Sequence, residues 1–160
     1  MIKYVGILLV FFSCTYTGYL TYLSRYRRLK RIMGMLSLIK FIKQRAEFFS
    51  DPLCDIYASF QNEELSKSGY LNTLVQNDFL YAFNAHSKDF GFSEQTDAFI
   101  VSFAQTLGKL PLKEQISSCE YLIGIISDEE KNSQVSLEKE KKLFCGIGVL
   151  AGCAAVILLV

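Results

Sequence analysis

The sequence lacks most of the residues and patterns on which catalysis and metal binding depend. It has no tryptophan, one histidine (His86) and two prolines among 160 residues. The phosphate-binding pattern G-x-x-x-x-G-K-[ST], the nucleophile pattern G-x-S-x-G and the zinc pattern H-E-x-x-H do not occur in it. His86 stands in a polar stretch without ligands or triad partners nearby, so we predict a solvent-exposed or capping residue at the end of a surface helix. We expect no enzymatic activity, no metal and no cofactor.

Cysteine is present, but not in a pattern that forms disulfides or binds zinc. The five cysteines include no C-x-x-C pair, and their number is odd. Cys14, Cys145 and Cys153 stand in apolar runs, whereas Cys54 and Cys119 stand between these runs. A disulfide framework or a zinc site would need paired cysteines at short spacings. We therefore interpret all five as small apolar side chains.

Two long runs without charged residues lie near the two ends of the chain. The 21 residues 4–24 and the 18 residues 143–160 contain no Asp, Glu, Lys or Arg. An apolar helix of ~20 residues covers the ~30 Å hydrocarbon core of a membrane. We predict a transmembrane helix in residues 1–24, with a short outer tail, and another in residues 143–160. The alternatives are a cleaved signal peptide and a buried soluble helix, but the first run exceeds a signal peptide's apolar region and no A-x-A pattern follows it.

Basic residues predict the orientation of these two spans. Lys139, Lys141 and Lys142 precede the second span, and only Lys3 lies beyond the first. The residues after the first span form a membrane-proximal basic group: Arg25, Arg27, Arg28, Lys30 and Arg31. Since basic flanks stay on the cytoplasmic side, we predict a two-pass protein of the cell membrane with residues 25–142 in the cytoplasm.

The region between the predicted spans has helical periodicity almost throughout. We predict an all-α class, with residues 25–142 as a helical bundle flanked by the two transmembrane helices. The first cytoplasmic helix has an apolar stripe of Leu29, Ile32, Met33, Leu36, Ile39 and Ile42. Asp51 and Pro52 predict the N-cap and first residue of a second helix. A third apolar segment covers residues 70–83.

The end of the bundle has clearer boundary signals. Ser93 is a favourable N-cap for a helix that bears the apolar residues Phe99, Ile100, Phe103 and Leu107, and Gly108 suits the left-handed position just after that helix. The last helix is predicted to begin near Leu112. Residues 128–142 are nearly all polar, which suits either a solvated helical stalk or a partner surface; we favour the stalk.

Charge is divided between two parts of the predicted bundle. Residues 25–45 contain eight Lys or Arg and no acid, whereas residues 47–130 contain fourteen Asp or Glu and four Lys. Because anionic lipids attract basic segments beside a membrane, we assign the basic part to lipid contact rather than to nucleic acid. The acidic part is either merely solvated or a surface for a basic partner. The candidate partner-facing acids are Glu63, Glu64, Asp89, Glu94 and Asp97.

Small residues recur at a spacing of four in the second predicted span. Gly148 and Gly152 form a G-x-x-x-G pattern, and Ala151 and Ala155 repeat its spacing. Such residues let two membrane helices approach closely, although the pattern also arises by chance in apolar segments. It is compatible with helix packing inside the membrane and with a homo-oligomer.

The complete layout resembles the stage III sporulation protein AB family of endospore-forming bacteria. The resemblance includes the pair Pro52-Leu53 and, more specifically, Leu107-Gly108 followed by Gln115. Its other residues lie near the two ends: Met1, Lys3, Gly6, Leu9, Ser13, Thr15 and Gly18, and the closing runs 147–152 and 156–159. Pro111 departs from the family pattern, which usually has an acid at that position, so the local turn geometry is in question.

The resemblance implies a function as well as a fold. Family members are expected to form part of the channel complex between mother cell and forespore, on the mother-cell side in the outer forespore membrane. Their cytoplasmic domain is similar to the F, or platform, proteins of type II secretion and type IV pilus machines, which anchor a cytoplasmic secretion-type ATPase and contact other membrane proteins of the complex. A platform subunit of a secretion or pilus system outside sporulation is the first alternative. A small membrane enzyme or transporter subunit is the second.

Overall fold

A computed structural model describes the backbone of residues 2–49 and 52–159, and the side chains of residues 13, 16, 19–49 and 52–141. These residues form seven α-helices and no strand, which confirms the predicted all-α class. The helices are α1 (Ile2–Phe48), α2 (Leu53–Ser59), α3 (Glu63–Lys67), α4 (Tyr70–Gln76), α5 (Phe79–Phe90), α6 (Glu94–Thr106) and α7 (Leu112–Leu159).

The chain divides into two compact units. One consists of Arg28–Asn132 and contains α2 to α6 together with parts of α1 and α7. The other consists of Met1–Arg27 and Ser133–Val160. Within the described side chains, no helix is long and apolar enough to cross a membrane. The predicted span 4–24 lies largely outside those side chains, and the predicted span 143–160 lies entirely outside them.

The core of the Arg28–Asn132 unit begins with one face of α1. Ile32, Ile39 and Ile42 are fully buried, as the periodicity of the sequence predicted. The predicted Met33 is only half-buried, whereas Met35 has no exposed surface. The buried stripe of α1 is therefore wider than a single row of residues, because other helices cover it from more than one side.

Aromatic side chains fill much of the remaining core. Tyr70 and Phe90 meet edge to face with ring centroids 5.3 Å apart, and Phe90 stacks on Phe92 at 5.6 Å. Such arrangements add ~0.5–1.5 kcal/mol to the burial energy of each pair. Phe99 on α6 lies outside this core: it is 43% exposed and contacts Tyr121 on the surface, at a centroid distance of 5.6 Å.

Side-chain caps mark the starts of α3, α5 and α6. The predicted Ser93 cap is confirmed, since its hydroxyl accepts a hydrogen bond from the Thr96 backbone N–H. The single segment predicted for residues 70–83 is wrong: the chain breaks after α4, and Asp78 caps a new helix by accepting from the Tyr81 N–H at 2.7 Å. Asn62 caps α3, a short helix that the sequence analysis did not anticipate. Asp51, the predicted cap of α2, lies outside the described residues.

Candidate functional site

Three separate parts of the Arg28–Asn132 unit form an open apolar groove of about 450 Å³. Ala46 comes from the end of α1 and the second wall from α2, while the third comes from the α6–α7 turn and the start of α7. The complete lining is Ala46, Pro52, Leu53, Ile56, Gly108, Leu110, Leu112 and Gln115. A concave apolar surface with few polar atoms suits an apolar side chain of a partner better than a charged substrate.

Gly108 allows the turn and α2 to approach closely in the wall of this groove. Its φ angle is +78°, and a Cβ atom at this position would lie 2.9 Å from Leu53 Cδ1. The turn is closed by the Lys109 N–H, which donates to the Thr106 carbonyl at 3.0 Å. The predicted left-handed position of Gly108 and the start of α7 at Leu112 are both confirmed.

Pro111 fits this turn because of its place at the start of α7. Its carbonyl accepts the first hydrogen bond of the helix, from the Gln115 N–H at 2.9 Å. A proline there does not cost a helical hydrogen bond, because the first N–H groups of a helix have no partner within the helix. The proline is therefore compatible with a regular helix start and with the position of Gln115 in the groove.

Exposed apolar side chains stand beside the groove in the sequence. Leu112, which lines the groove, is 47% exposed. Phe48 and Phe49, between the lining residues Ala46 and Pro52, are 70% and 61% exposed. The Arg45 guanidinium lies 5.0 Å from the ring centroid of Phe49, which holds that ring by a cation–π contact.

The residues that resemble the sporulation family converge on this groove. Leu53 and Gly108 lie next to each other in its wall, and Gln115 lines it, while Leu107 is buried just before the turn. The two segments are more than fifty residues apart in the sequence, so periodicity gave no sign that they meet. In the sequence, these two segments were linked only through the family pattern, which contains residues from both.

Arg28 and Arg31 of the membrane-proximal basic group contact backbone carbonyls at the end of α5. Arg28 donates from Nε to the Phe90 carbonyl at 2.9 Å, and its guanidinium also donates to the Gly91 carbonyl. Arg31 donates to the Asp89 carbonyl at 3.0 Å. These carbonyls end α5, where the helix leaves them without helical partners and where positive charge is favourable. Arg27 is exposed and Lys30 is half-buried.

Arg25 makes a different contact, within the unit formed by both ends of the chain. Its guanidinium lies 2.6 Å from a carboxylate oxygen of Glu140 on α7. The two residues are separated by 115 positions in the sequence. Because the side chains of Arg25 and Glu140 are 51% and 23% exposed, the pair is partly shielded from water. It joins the two helices immediately beside the predicted spans.

The candidate partner-facing acids have different surroundings. Glu94 is exposed and Glu64 is half-buried. Glu63 is exposed and pairs with Lys67 at 2.6 Å, an interaction that lowers the pKa of the Glu63 carboxyl. Asp89 lies 3.6 Å from Arg31 in an ion pair.

Asp97 is half-buried and faces another acid. Its Oδ1 atom is buried, with no hydrogen-bond partner among the described residues. Desolvation and, to a lesser degree, the charge of Glu129 raise the pKa of Asp97. Thr96 donates to the Glu129 carboxylate at 3.3 Å, which fixes this second acid beside α6.

The prediction for His86 is wrong. The residue lies within α5 rather than at a helix end, and its side chain is 19% exposed. Its ring meets Tyr70 edge to face at 5.9 Å, and its two nitrogens lie 3.3 Å from Thr73 Oγ1 and from Asp89 Oδ2. The polar neighbours in the sequence concealed this position, because His86 turns toward α4 while they face solvent. No group of three or more potential metal ligands occurs among the described side chains.

The cysteines of this unit differ in accessibility, since Cys54 is exposed and Cys119 is buried. Burial raises the pKa of the Cys119 thiol to about 11. The small residues of the predicted packing pattern, Gly148, Gly152, Ala151 and Ala155, lie outside the described side chains.

Comparison with known proteins identifies the family. The model of stage III sporulation protein AB matches residues 3–160. Comparisons with curated proteins and with solved structures give no match. Since the family match covers nearly the whole chain, the protein belongs to the stage III sporulation protein AB family, a family of sporulation proteins.

Proposed function

We propose that this protein is a non-enzymatic membrane platform of the sporulation channel complex, anchored by two spans in the outer forespore membrane on the mother-cell side. In this proposal residues 25–142 lie in the cytoplasm, dock a secretion-type ATPase and contact other membrane proteins of the complex. Membership in the sporulation family favours this setting over a pilus or secretion system outside sporulation.

The contact between Arg25 and Glu140 is the observation on which the membrane arrangement rests. Arg25 directly follows the predicted first span, and Glu140 precedes the predicted second span by three residues. Their 2.6 Å contact supports the requirement that the first span end and the second span begin on the same side of the membrane. A two-pass chain with both ends outside satisfies this requirement, and the basic flanks assign the shared side to the cytoplasm.

A scaffolding role also agrees with the contacts that polar side chains make between the helices of the bundle. His86 contacts Tyr70 and Thr73, and Glu129 accepts a hydrogen bond from Thr96. These contacts lie within or between neighbouring helices of the bundle, so they position helices. The groove adds an apolar surface, and protein partners commonly bind such surfaces.

Thiol labelling in intact cells tests the orientation. The chain would have Cys14, Cys145 and Cys153 replaced by Ala, so that Cys54 is the exposed native thiol. When the chain is expressed in non-sporulating cells, where it would insert into the cell membrane, an impermeant maleimide should label an added cysteine near either terminus but should leave Cys54 unmodified until the cells are opened. Labelling of Cys54 in intact cells would show that the bundle lies outside.

A charge reversal tests ATPase docking. Glu63 and Glu94 are exposed, whereas Asp89 contacts Arg31 and Asp97 is half-buried, so the first two can be changed with little risk to the fold. The variant Glu63→Lys/Glu94→Lys should recover less ATPase from sporulating cells, and the difference should shrink as salt rises. The control Asp128→Lys/Glu138→Lys makes the same charge change at two exposed sites on a different helix, α7. Equal recovery by both variants at low salt would exclude these acids as the docking surface.

A further inference from the structure

We propose that the apolar groove is a self-association surface, in which the groove of each copy receives the Phe48 side chain of a second copy across a two-fold axis. The inference rests on the proposed membrane anchorage, because anchorage supplies much of the strength of the contact. It assigns the groove an occupant from this same chain.

Phe48 and the groove supply the projecting side chain and the cavity that a two-fold contact requires. In a two-fold dimer the same surface lies on both sides, so it must contain both a projection and the cavity that receives it. Phe48 is the most exposed of the large apolar side chains that the structure describes, at 70%. It stands two residues after Ala46, which lines the groove. A groove of about 450 Å³ lies within the range of pockets that enclose whole ligands, so it can admit a phenyl ring.

The neighbouring ring is less available for this role. Phe49 lies under the Arg45 guanidinium, which also lies 5.3 Å from the ring of Phe41. Arg45 thereby holds Phe49 against the chain's own helix. Phe48 is the ring that remains to project from the end of α1.

The charges beside the groove also favour a second copy as the occupant. Six charged residues of the described chain flank the lining residues in sequence, three acidic and three basic; all are exposed except the half-buried Arg45. They are Glu47, Asp55, Glu114, Arg45, Lys109 and Lys113. Their charges sum to zero. A strongly acidic or basic partner would gain nothing from such a rim, whereas a second copy rotated by a two-fold axis brings the same two signs and can oppose each acid with a basic residue.

The modest size of the contact explains why the membrane matters. A buried aromatic side chain removes ~150–250 Å² from water, whereas a stable complex usually buries ~800 Å² on each partner. A groove with eight lining residues and one inserted ring is a small interface by this standard. Confinement to one membrane raises the effective concentration of the second copy, as a tether does, so that a weak contact can be populated. We therefore expect association in membranes and dissociation on dilution in detergent.

Energy transfer between labelled copies tests the proposal. The substitution Lys88→Cys places donor and acceptor maleimides at an exposed position that does not line the groove, in a chain whose native Cys54 is replaced by Ala. The full chain, with Cys14, Cys145 and Cys153 replaced by Ala, would be reconstituted into phosphatidylcholine vesicles at a low protein-to-lipid ratio. We expect energy transfer above that of randomly placed labels, and a loss of at least fivefold of the excess with Phe48→Asp.

A matched variant separates the proposed contact from a general loss of apolar surface. Tyr81 is 59% exposed and does not line the groove, so Tyr81→Asp should leave the transfer unchanged. Both replaced rings are exposed, and circular dichroism should show an intact fold in both variants. Absence of excess transfer in the parent chain, or equal transfer with Phe48→Asp, would overturn the proposal; the groove would then serve a different protein.

The same measurement distinguishes failure of self-association from failure of the proposed anchorage. A chain that did not enter the vesicles would contradict the two membrane spans. Energy transfer in detergent over a series of protein concentrations would then decide self-association by itself, since Phe48→Asp must still weaken it. Concentration-independent absence of transfer would overturn it.

Discussion

Gly91→Ala should be among the most destabilising small changes in the bundle. Gly91 ends α5 with a φ angle of +60°, and a Cβ atom there would lie 2.8 Å from Arg28 Nε. A left-handed backbone costs an alanine ~1–2 kcal/mol. The new Cβ also displaces the guanidinium that donates to the Phe90 and Gly91 carbonyls, and one lost charge-assisted hydrogen bond adds ~1.5–3 kcal/mol at most. Because Arg28 is only partly buried, we expect a total near ~2–4 kcal/mol.

Two other glycines separate these contributions. Gly69 has a φ angle of +80°, but the nearest atom to an added Cβ is His86 Cε1 at 3.8 Å, so Gly69→Ala should show the backbone cost alone. Gly124 lies within α7, where an added Cβ meets nothing within 4 Å. Gly124→Ala should therefore stabilise the helix, by ~0.5–1 kcal/mol. Thermal unfolding of the purified full chain, followed by circular dichroism at 222 nm, measures all three variants.

The variant Arg28→Ala provides the test that could refute this reasoning. With the guanidinium removed, the steric conflict is gone, so Gly91→Ala should cost no more than Gly69→Ala does. In the parent chain Gly91→Ala should lower Tm by on the order of 10 °C, which is about twice the effect of Gly69→Ala. An identical loss for Gly91→Ala with and without Arg28 would show that the contact between α1 and the end of α5 contributes nothing to the cost.

Three further changes test the interior of the bundle. Because burial and Glu129 raise the pKa of Asp97, its protonated form favours folding, and this contribution is lost as pH rises through the folded-state pKa. Thermal unfolding should therefore show that the Tm of Asp97→Asn, minus that of the parent chain, is larger at pH 7 than at pH 3. An equal difference at the two pH values would contradict the raised pKa of Asp97. Tyr70→Phe removes a buried hydroxyl without a described hydrogen-bond partner, so it should leave Tm unchanged or raise it by an amount equivalent to up to ~1 kcal/mol; a clear loss would reveal an unseen partner. At pH 8 a thiol reagent should modify Cys54 rapidly and Cys119 only after unfolding, because burial raises the pKa of Cys119 to about 11; equal rates in the folded chain would refute its burial.

Local signals in the sequence predicted the helices whose determinants lie within a few residues of one another. Ser93 caps α6 through Thr96, three residues away, and Gly108 takes the left-handed position directly after that helix. The break between α4 and α5 was missed although it is equally local. The apolar residues on both sides of Asn77 and Asp78 form one continuous pattern, which hid the Asp78 cap.

The roles of the charged residues could not be predicted in the same way. The cluster of Arg28 and Arg31 beside a predicted membrane span suggested lipid contact, since the sequence contains no sign of the partner that each one meets. Arg28 reaches the Phe90 carbonyl across 62 residues, and the carbonyls at the end of α5 become available only because α5 packs against α1. Asp97 likewise differs from Glu63 and Glu94 in its burial, although all three side chains are carboxylates.

The sequence by itself determined the helical class, the face of α1 that enters the core and the ends of α6, because helical periodicity and capping act between residues three or four positions apart. It also determined the family, through residues spread over the whole chain. Tertiary packing alone brought Leu53 against Gly108 to form the groove, turned His86 toward Tyr70 and placed Arg25 beside Glu140. These contacts join segments distant in the chain, and their geometry depends on how complete helices pack, which no local pattern records.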